Sequence, residues 1–158
     1  MAYTRFTVTP TVSAGGVGYS QYDVVGGALQ FKGVRRGQLQ QILITVDSTE
    51  MANETYVLVL YDAQPSTTAD NAPINPTDGA NSDATKLLYT VQLTQAGNAN
   101  AYNTGATYIA RPTTEVALVS NESDGDIWGY VYLLTVPAGS DDFASTTGMT
   151  VSLVVDVR

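Results

Sequence analysis

The chain has 158 residues, a formal net charge of −8, and neither histidine nor cysteine. Histidine is the usual proton shuttle near neutral pH and the commonest metal ligand, while cysteine supplies the thiolate of nucleophilic, redox and zinc sites. Ser–His–Asp, Cys–His, zinc-hydrolase and thiol-redox chemistry are therefore closed to this chain acting alone, which favours a protein that binds or builds.

Fifteen Asp and Glu against seven Lys and Arg give a field that repels phosphate backbones, so no nucleic-acid partner is expected. One domain is expected at this length. It can bury roughly 68–70% of its unfolded surface and so needs no disulfide or metal to hold a core. Charged residues make up 14% of the chain, well under the usual quarter. Neutral polar surfaces of that kind suit β-rich assemblies.

Period-two alternation, the mark of a strand with one dry face, recurs from end to end. Phe6, Val8 and Val12 alternate with Arg5, Thr7, Thr9 and Thr11. Strands are then predicted at Leu29–Phe31, at residues 39–46 and at Tyr56–Tyr61. Next come Leu87, Tyr89, Val91 and Leu93 against Lys86, Thr90 and Gln92, followed by residues 107–111, 116–119 and 127–136. Val151, Leu153, Val155 and Val157 close the series against Ser152 and Asp156. About nine short strands separated by Gly, Asn, Asp, Ser and Pro clusters predict one antiparallel β-sandwich of jelly-roll type spanning residues 1–158. Phe6, Val8, Ile42, Ile44, Leu58, Leu60, Leu87, Tyr89, Val91, Leu118, Leu153 and Val155 are the expected core, and residues 95–104 read as a flexible connection.

Two strands are apolar on both faces, Tyr56–Tyr61 and the run from Ile127 to Leu134. Such a strand in an antiparallel protein needs cover on its outer face. The long segment 63–84 or another subunit would supply it, since a loop of that length usually carries function or drapes over a sheet. The N-terminus lacks a signal-peptide core and no apolar run reaches the roughly 20 residues of a spanning helix. Synthesis in a cytoplasm, without export and without a membrane partner, is the expectation. The sequons at Asn53 and Asn121 are then chance matches.

Candidate chemistry is sparse. Asp62, Asp70, Asn71, Asp78 and Asp83 populate one loop, and Asp124 and Asp126 another, offering oxygens to a hard cation. No stretch fits the spacing of a dedicated calcium loop. Asp and Asn also make turns by bonding their own backbone, so turns are the better reading and no metal or cofactor is expected. A carboxylate-based glycoside hydrolase would need two acids roughly 5–9.5 Å apart, one of them desolvated. Only Asp156 lies inside a predicted strand, on its wet face, so no catalytic residue is assigned. Trp128, Tyr130 and Tyr132 share a strand face, either as a sugar-stacking platform of a carbohydrate-binding module or as a core or subunit-facing stripe, which is preferred. Lys32, Arg35 and Arg36 form the one basic cluster, either a solvated hairpin tip or a contact for an acidic protein surface.

Three stretches carry a resemblance. They are Tyr22-Asp23-Val24-Val25-Gly26-Gly27-Ala28-Leu29-Gln30-Phe31, Gly37-Gln38-Leu39-Gln40-Gln41-Ile42-Leu43-Ile44-Thr45-Val46-Asp47, and residues 58–72, Leu-Val-Leu-Tyr-Asp-Ala-Gln-Pro-Ser-Thr-Thr-Ala-Asp-Asn-Ala. In this order they resemble segments of small virion proteins of tailed bacteriophages, of the capsid decoration (cement) type. Pro73-Ile74-Asn75-Pro76 then stands where that family's pattern has an aromatic residue and a strand-like run. The resemblance implies a β-sandwich bound to the major capsid protein on the outside of a shell, as a symmetric homo-oligomer, a trimer, made in the bacterial cytoplasm. Residues 1–11, with Tyr3 and Arg5, would be either an arm reaching a neighbour or the edge strand of the chain's own sandwich, and Arg35 and Arg36 a second contact.

Overall fold

A computed structural model describes residues 2–74, 83–135 and 142–158. The strands are β1 (Tyr3–Val8), β2 (Leu29–Phe31), β3 (Arg36–Val46), β4 (Tyr56–Tyr61), β5 (Leu87–Leu93), β6 (Ala99–Tyr102), β7 (Gly105–Ala110), β8 (Ala117–Val119), β9 (Ile127–Leu133) and β10 (Met149–Val157). Among the described residues, helix is confined to two short 3₁₀ segments, Met51–Asn53 and Asp83–Lys86, and one α turn, α1 (Gln95–Asn98). No helix among them is long and apolar enough to cross a membrane.

One sheet runs β1-β10-β3-β7-β6 with β8 beside the start of β3, and the other runs β2-β9-β4-β5; every pairing is antiparallel. Setting aside the short β6 and β8 leaves eight strands, ordered first-eighth-third-sixth in one sheet and second-seventh-fourth-fifth in the other. That is the jelly-roll order, so the all-β sandwich expected from alternation is the observed fold.

The inner faces meet in one core. Leu39, Ile42, Ile44, Leu153 and Val155 from the larger sheet pack against Leu29, Phe31, Leu58, Leu60, Val131 and Leu133 from the smaller. Two tyrosines are buried there edge to face, Tyr56 and Tyr108, 5.1 Å apart. Their hydroxyls bond backbone carbonyls of the segment before β4: Tyr56 donates to Met51 O, and Tyr108 lies within bonding distance of Ala52 O and Glu54 O.

Four details depart from the alternation pattern. First, β3 begins at Arg36, because Arg36, Gly37 and Gln38 pair with β8 and Gly37 and Gln38 also pair with β10. Second, residues 95–104 are ordered. Thr94 caps α1 through its side chain, and β6 folds back on β7 through a two-residue turn closed by the pairing of Tyr102 with Gly105. The sequence Ala-Asn-Ala-Tyr of β6 has no apolar alternation because neither face is buried, so periodicity could not reveal it.

The third departure corrects the core. Leu87 is 49% exposed, not buried. A register shift sets Leu60 opposite Tyr89 but Tyr61 opposite Leu87, so the extra residue, Leu88, takes the inward place and packs on the core. One inserted residue turns every side chain beyond it to the opposite face. Fourth, Phe6 and Val8 are half-buried, since β1 is a sheet edge, and the remaining predicted core residues are buried or pack against the core. The strand predicted to reach residue 136 ends at Leu133, and residue 136 itself lies outside the described residues.

Candidate interaction surface

The outer face of the smaller sheet gathers the two-sided apolar strands. Val57, Val59, Tyr61, Tyr130 and Val24 form a second buried cluster, with Trp128, Tyr132, Ala28 and Ile74 packed on it. Its cover is internal. Asn71 N donates to Val24 O at 2.9 Å, Val24 N to Ala72 O at 2.8 Å and Ile74 N to Tyr22 O at 2.8 Å, so residues 22–24 and 71–74 lie together like a short ladder. The Tyr130 hydroxyl reaches the same loop, accepting from Thr68 N at 2.9 Å and donating to Ser66 O.

Asp70 fastens this cover. Its carboxylate accepts from Ser13 Oγ at 2.6 Å, Tyr19 OH at 2.7 Å and Gly26 N at 2.7 Å, joining three segments distant in sequence. Asn71 sits at φ 56°, the left-handed conformation its short polar side chain tolerates. Asp83 is buried, accepts from Ser66 N and pairs with Lys86 at 3.5 Å. Asp70 and Asp83 thus serve loop closure. Asp78 lies outside the described residues.

Of the aromatic stripe, Tyr130 is almost fully buried, while Trp128 and Tyr132 are half-buried. Trp128 Nε1 donates to Glu122 Oε2 at 2.8 Å, which fixes the indole by a polar bond at its edge. Burial raises the pKa of Tyr130 and of Tyr132. It also pushes Tyr61 up to about 12, helped by the nearby charge of Asp83.

Glu122, Asp124 and Asp126 bring carboxylate oxygens within 4.8 Å of one another. Each is committed locally. Glu122 also accepts from Gln64 N, Asp126 accepts from Gly33 N and Gln30 Nε2, and Asp124 accepts from Asp126 N. Asp126 holds the β8–β9 turn against the β2–β3 turn.

That second turn carries the basic cluster. Val34 is fully buried and anchors it, leaving Lys32, Arg35 and Arg36 exposed on either side. Arg35 N donates to Gly125 O at 2.7 Å and Ser120 N to Arg35 O at 2.8 Å. Gly125 has φ +82°, and a Cβ there would stand 2.5 Å from Arg35 Cγ, so the close approach of the two turns requires glycine.

The register adds two cations that sequence reading left apart. Arg158 N donates to Arg36 O at 3.3 Å and its guanidinium bonds Gln38 Oε1 at 2.8 Å. Arg5, on β1, stands opposite Val154 and lines a groove with Lys32. Five of the seven positive charges, those of Arg5, Lys32, Arg35, Arg36 and Arg158, therefore collect at one corner of the sandwich. Among the described residues none of the five makes an ion pair; the one salt bridge is Lys86–Asp83.

Tyr3 is 58% exposed at the same corner, opposite Asp156. Residues 3–8 complete the chain's own larger sheet, so the edge-strand alternative describes them, with one side left to offer a neighbour. Trp128, Tyr130 and Tyr132 lie on the outer face of the other sheet, apart from Tyr3 and Arg5.

Neither the protein-family models nor the curated proteins contain a match to this chain.

Proposed function

We propose that this protein is a capsid decoration protein of a tailed bacteriophage, binding the outside of the shell and bridging neighbouring capsomers as a symmetric trimer. The observation that carries this reading is the corner where five positive charges gather beside a strand edge on a domain of net charge −8; among the described residues none of the five makes an ion pair, although Asp126 and Asp156 lie close by. Such a corner steers the domain onto an acidic protein surface in one orientation, which favours association and register more than raw affinity. Weak single contacts suffice, because copies joined in a closed ring bind as one multivalent body.

The polar groups of the domain support binding over catalysis. The carboxylates of Asp23, Asp70, Asp83, Glu122 and Asp126 are engaged in fastening turns and loops. The resembling stretches also form connected parts of the domain. Residues 22–31 and 58–72 meet over the outer face of the smaller sheet, and residues 37–47 lie in the middle of the larger. Acidity carries no penalty outside a shell, away from packaged DNA.

The test is to add the purified protein to expanded, undecorated capsids of a tailed phage. Bound copies are then located by electron cryomicroscopy and the temperature of shell disruption is measured. Occupancy of local threefold positions with a raised disruption temperature is expected. Absence of shell binding, together with glycan binding abolished by Trp128→Ala, would replace this reading with a carbohydrate-binding module.

A further inference from the structure

At the cationic corner the two sheets end side by side, and the groove between their first strands has a composition of its own. It has a volume of about 480 Å³ and is lined by residues 5–9 of β1 and the segment after it, and by residues 30–32 at β2. Phe31 is buried at its base, and Phe6 and Val8 are half-buried beside it. Arg5 stands on one wall and Lys32 on the other, both exposed. Among the described residues no carboxylate lines it, and the nearby Asp126 is engaged by Gln30 Nε2 and Gly33 N. Asp156 shares the outer sheet face with Arg5 but makes no ion pair with it.

Both walls are strand edges. β1 pairs with β10 alone and β2 with β9 alone, so among the described residues neither has a strand on its other side. β1 reads Thr-Arg-Phe-Thr-Val over residues 4–8, with no proline or bulge and with Arg5 as its one charge against further pairing. Such an edge presents backbone donors and acceptors at the spacing of another extended polypeptide.

We infer that this groove receives an extended, acidic polypeptide segment, which adds to β1 as a strand and places its carboxylates against Arg5 and Lys32. The strand edge selects peptide backbone over a phosphodiester chain, and a domain of net charge −8 repels a long polyanion while two local cations accept a short acidic stretch. Apolar residues at alternate positions of the ligand would meet Phe6 and Val8. The inference rests on the decoration reading only for the source of the segment, an exposed stretch of the shell subunit.

The experiment uses the ¹⁵N-labelled full chain and two acetylated heptapeptides, one alternating Glu with Val and one alternating Lys with Val. The Glu–Val peptide is expected to shift the amide signals of residues 4–8 and 29–32 and to slow their hydrogen exchange. The Lys–Val peptide is expected to do neither. Arg5→Glu combined with Lys32→Glu should weaken binding about tenfold at low salt, whereas Arg111→Glu, an exposed cation outside the groove, should leave it unchanged. Unmoved groove amides at millimolar peptide, equal response to both peptides, or indifference to R5E/K32E overturns the inference. So does a shift of the same amides on concentrating the free protein, which would assign the edge to a second copy. Shell binding that survives R5E/K32E without any peptide response removes the groove and leaves decoration standing. A peptide response without shell binding does the reverse.

Discussion

Replacing Asp70 with alanine should loosen the cover of the smaller sheet while leaving the sandwich folded. The carboxylate accepts three hydrogen bonds, from Ser13 Oγ, Tyr19 OH and Gly26 N, at 2.6–2.7 Å. Bonds to a charged acceptor contribute about 1.5–3 kcal/mol each, but these are part-buried, share one acceptor and do not add in full. A loss of about 3 kcal/mol is expected for Asp70→Ala. Asp70→Asn keeps the oxygen that serves both Tyr19 and Gly26, reverses the Ser13 bond so that Nδ2 donates to Oγ, and gives up charge assistance, so about 1–1.5 kcal/mol is expected.

Urea unfolding followed by tryptophan and tyrosine fluorescence measures both values. Native-state hydrogen exchange shows where the loss falls, and faster exchange should concentrate in residues 22–26 and 66–74, where the two covering segments pair. A cost below about 1 kcal/mol for Asp70→Ala, an asparagine variant as damaged as the alanine one, or a uniform rise in exchange would refute this role for Asp70.

The bulge in β5 makes a paired prediction. Leu87→Ser should change stability by no more than about 0.5 kcal/mol because that side chain is 49% exposed, whereas Leu88→Ser, from the neighbouring position that packs on the core, should cost about 2 kcal/mol; chemical denaturation of the two variants checks both. The buried tyrosines set the alkaline limit. Burial raises the phenol pKa of Tyr19, Tyr56 and Tyr108 above 10.0 and pushes Tyr61 up to about 12, so above pH 10 the unfolded chain binds fewer protons than the folded one. Stability from these groups is fully present below pH 10 and falls as pH rises, through about 12 for Tyr61. Absorbance at the phenolate band should show these four buried tyrosines ionising together with cooperative unfolding followed by circular dichroism, and their ionisation in a chain that stays folded would contradict this.

What the sequence determined by itself is local. Strict alternation at Val151, Leu153, Val155 and Val157 specifies a one-sided strand wherever that strand ends up, and the doubly apolar run Tyr56–Tyr61 specifies a strand in need of outer cover. Nine of the ten strands were legible for that reason. The tenth, β6, is exposed on both faces, and a strand held only by backbone pairing leaves no pattern in side chains. What the tertiary structure decided is register and juxtaposition. The β4–β5 register shift turned Leu87 outward, although its spacing from Tyr89 and Val91 put it inward. Asp70 reads as a turn former in sequence, and it became a joint between three segments because folding brought Ser13, Tyr19 and Gly26 to it. The cationic corner is likewise invisible along the chain. Lys32, Arg35 and Arg36 announce themselves by adjacency, but Arg158 and Arg5 join them only because β10 lies between β3 and β1, an arrangement set by long-range sheet order.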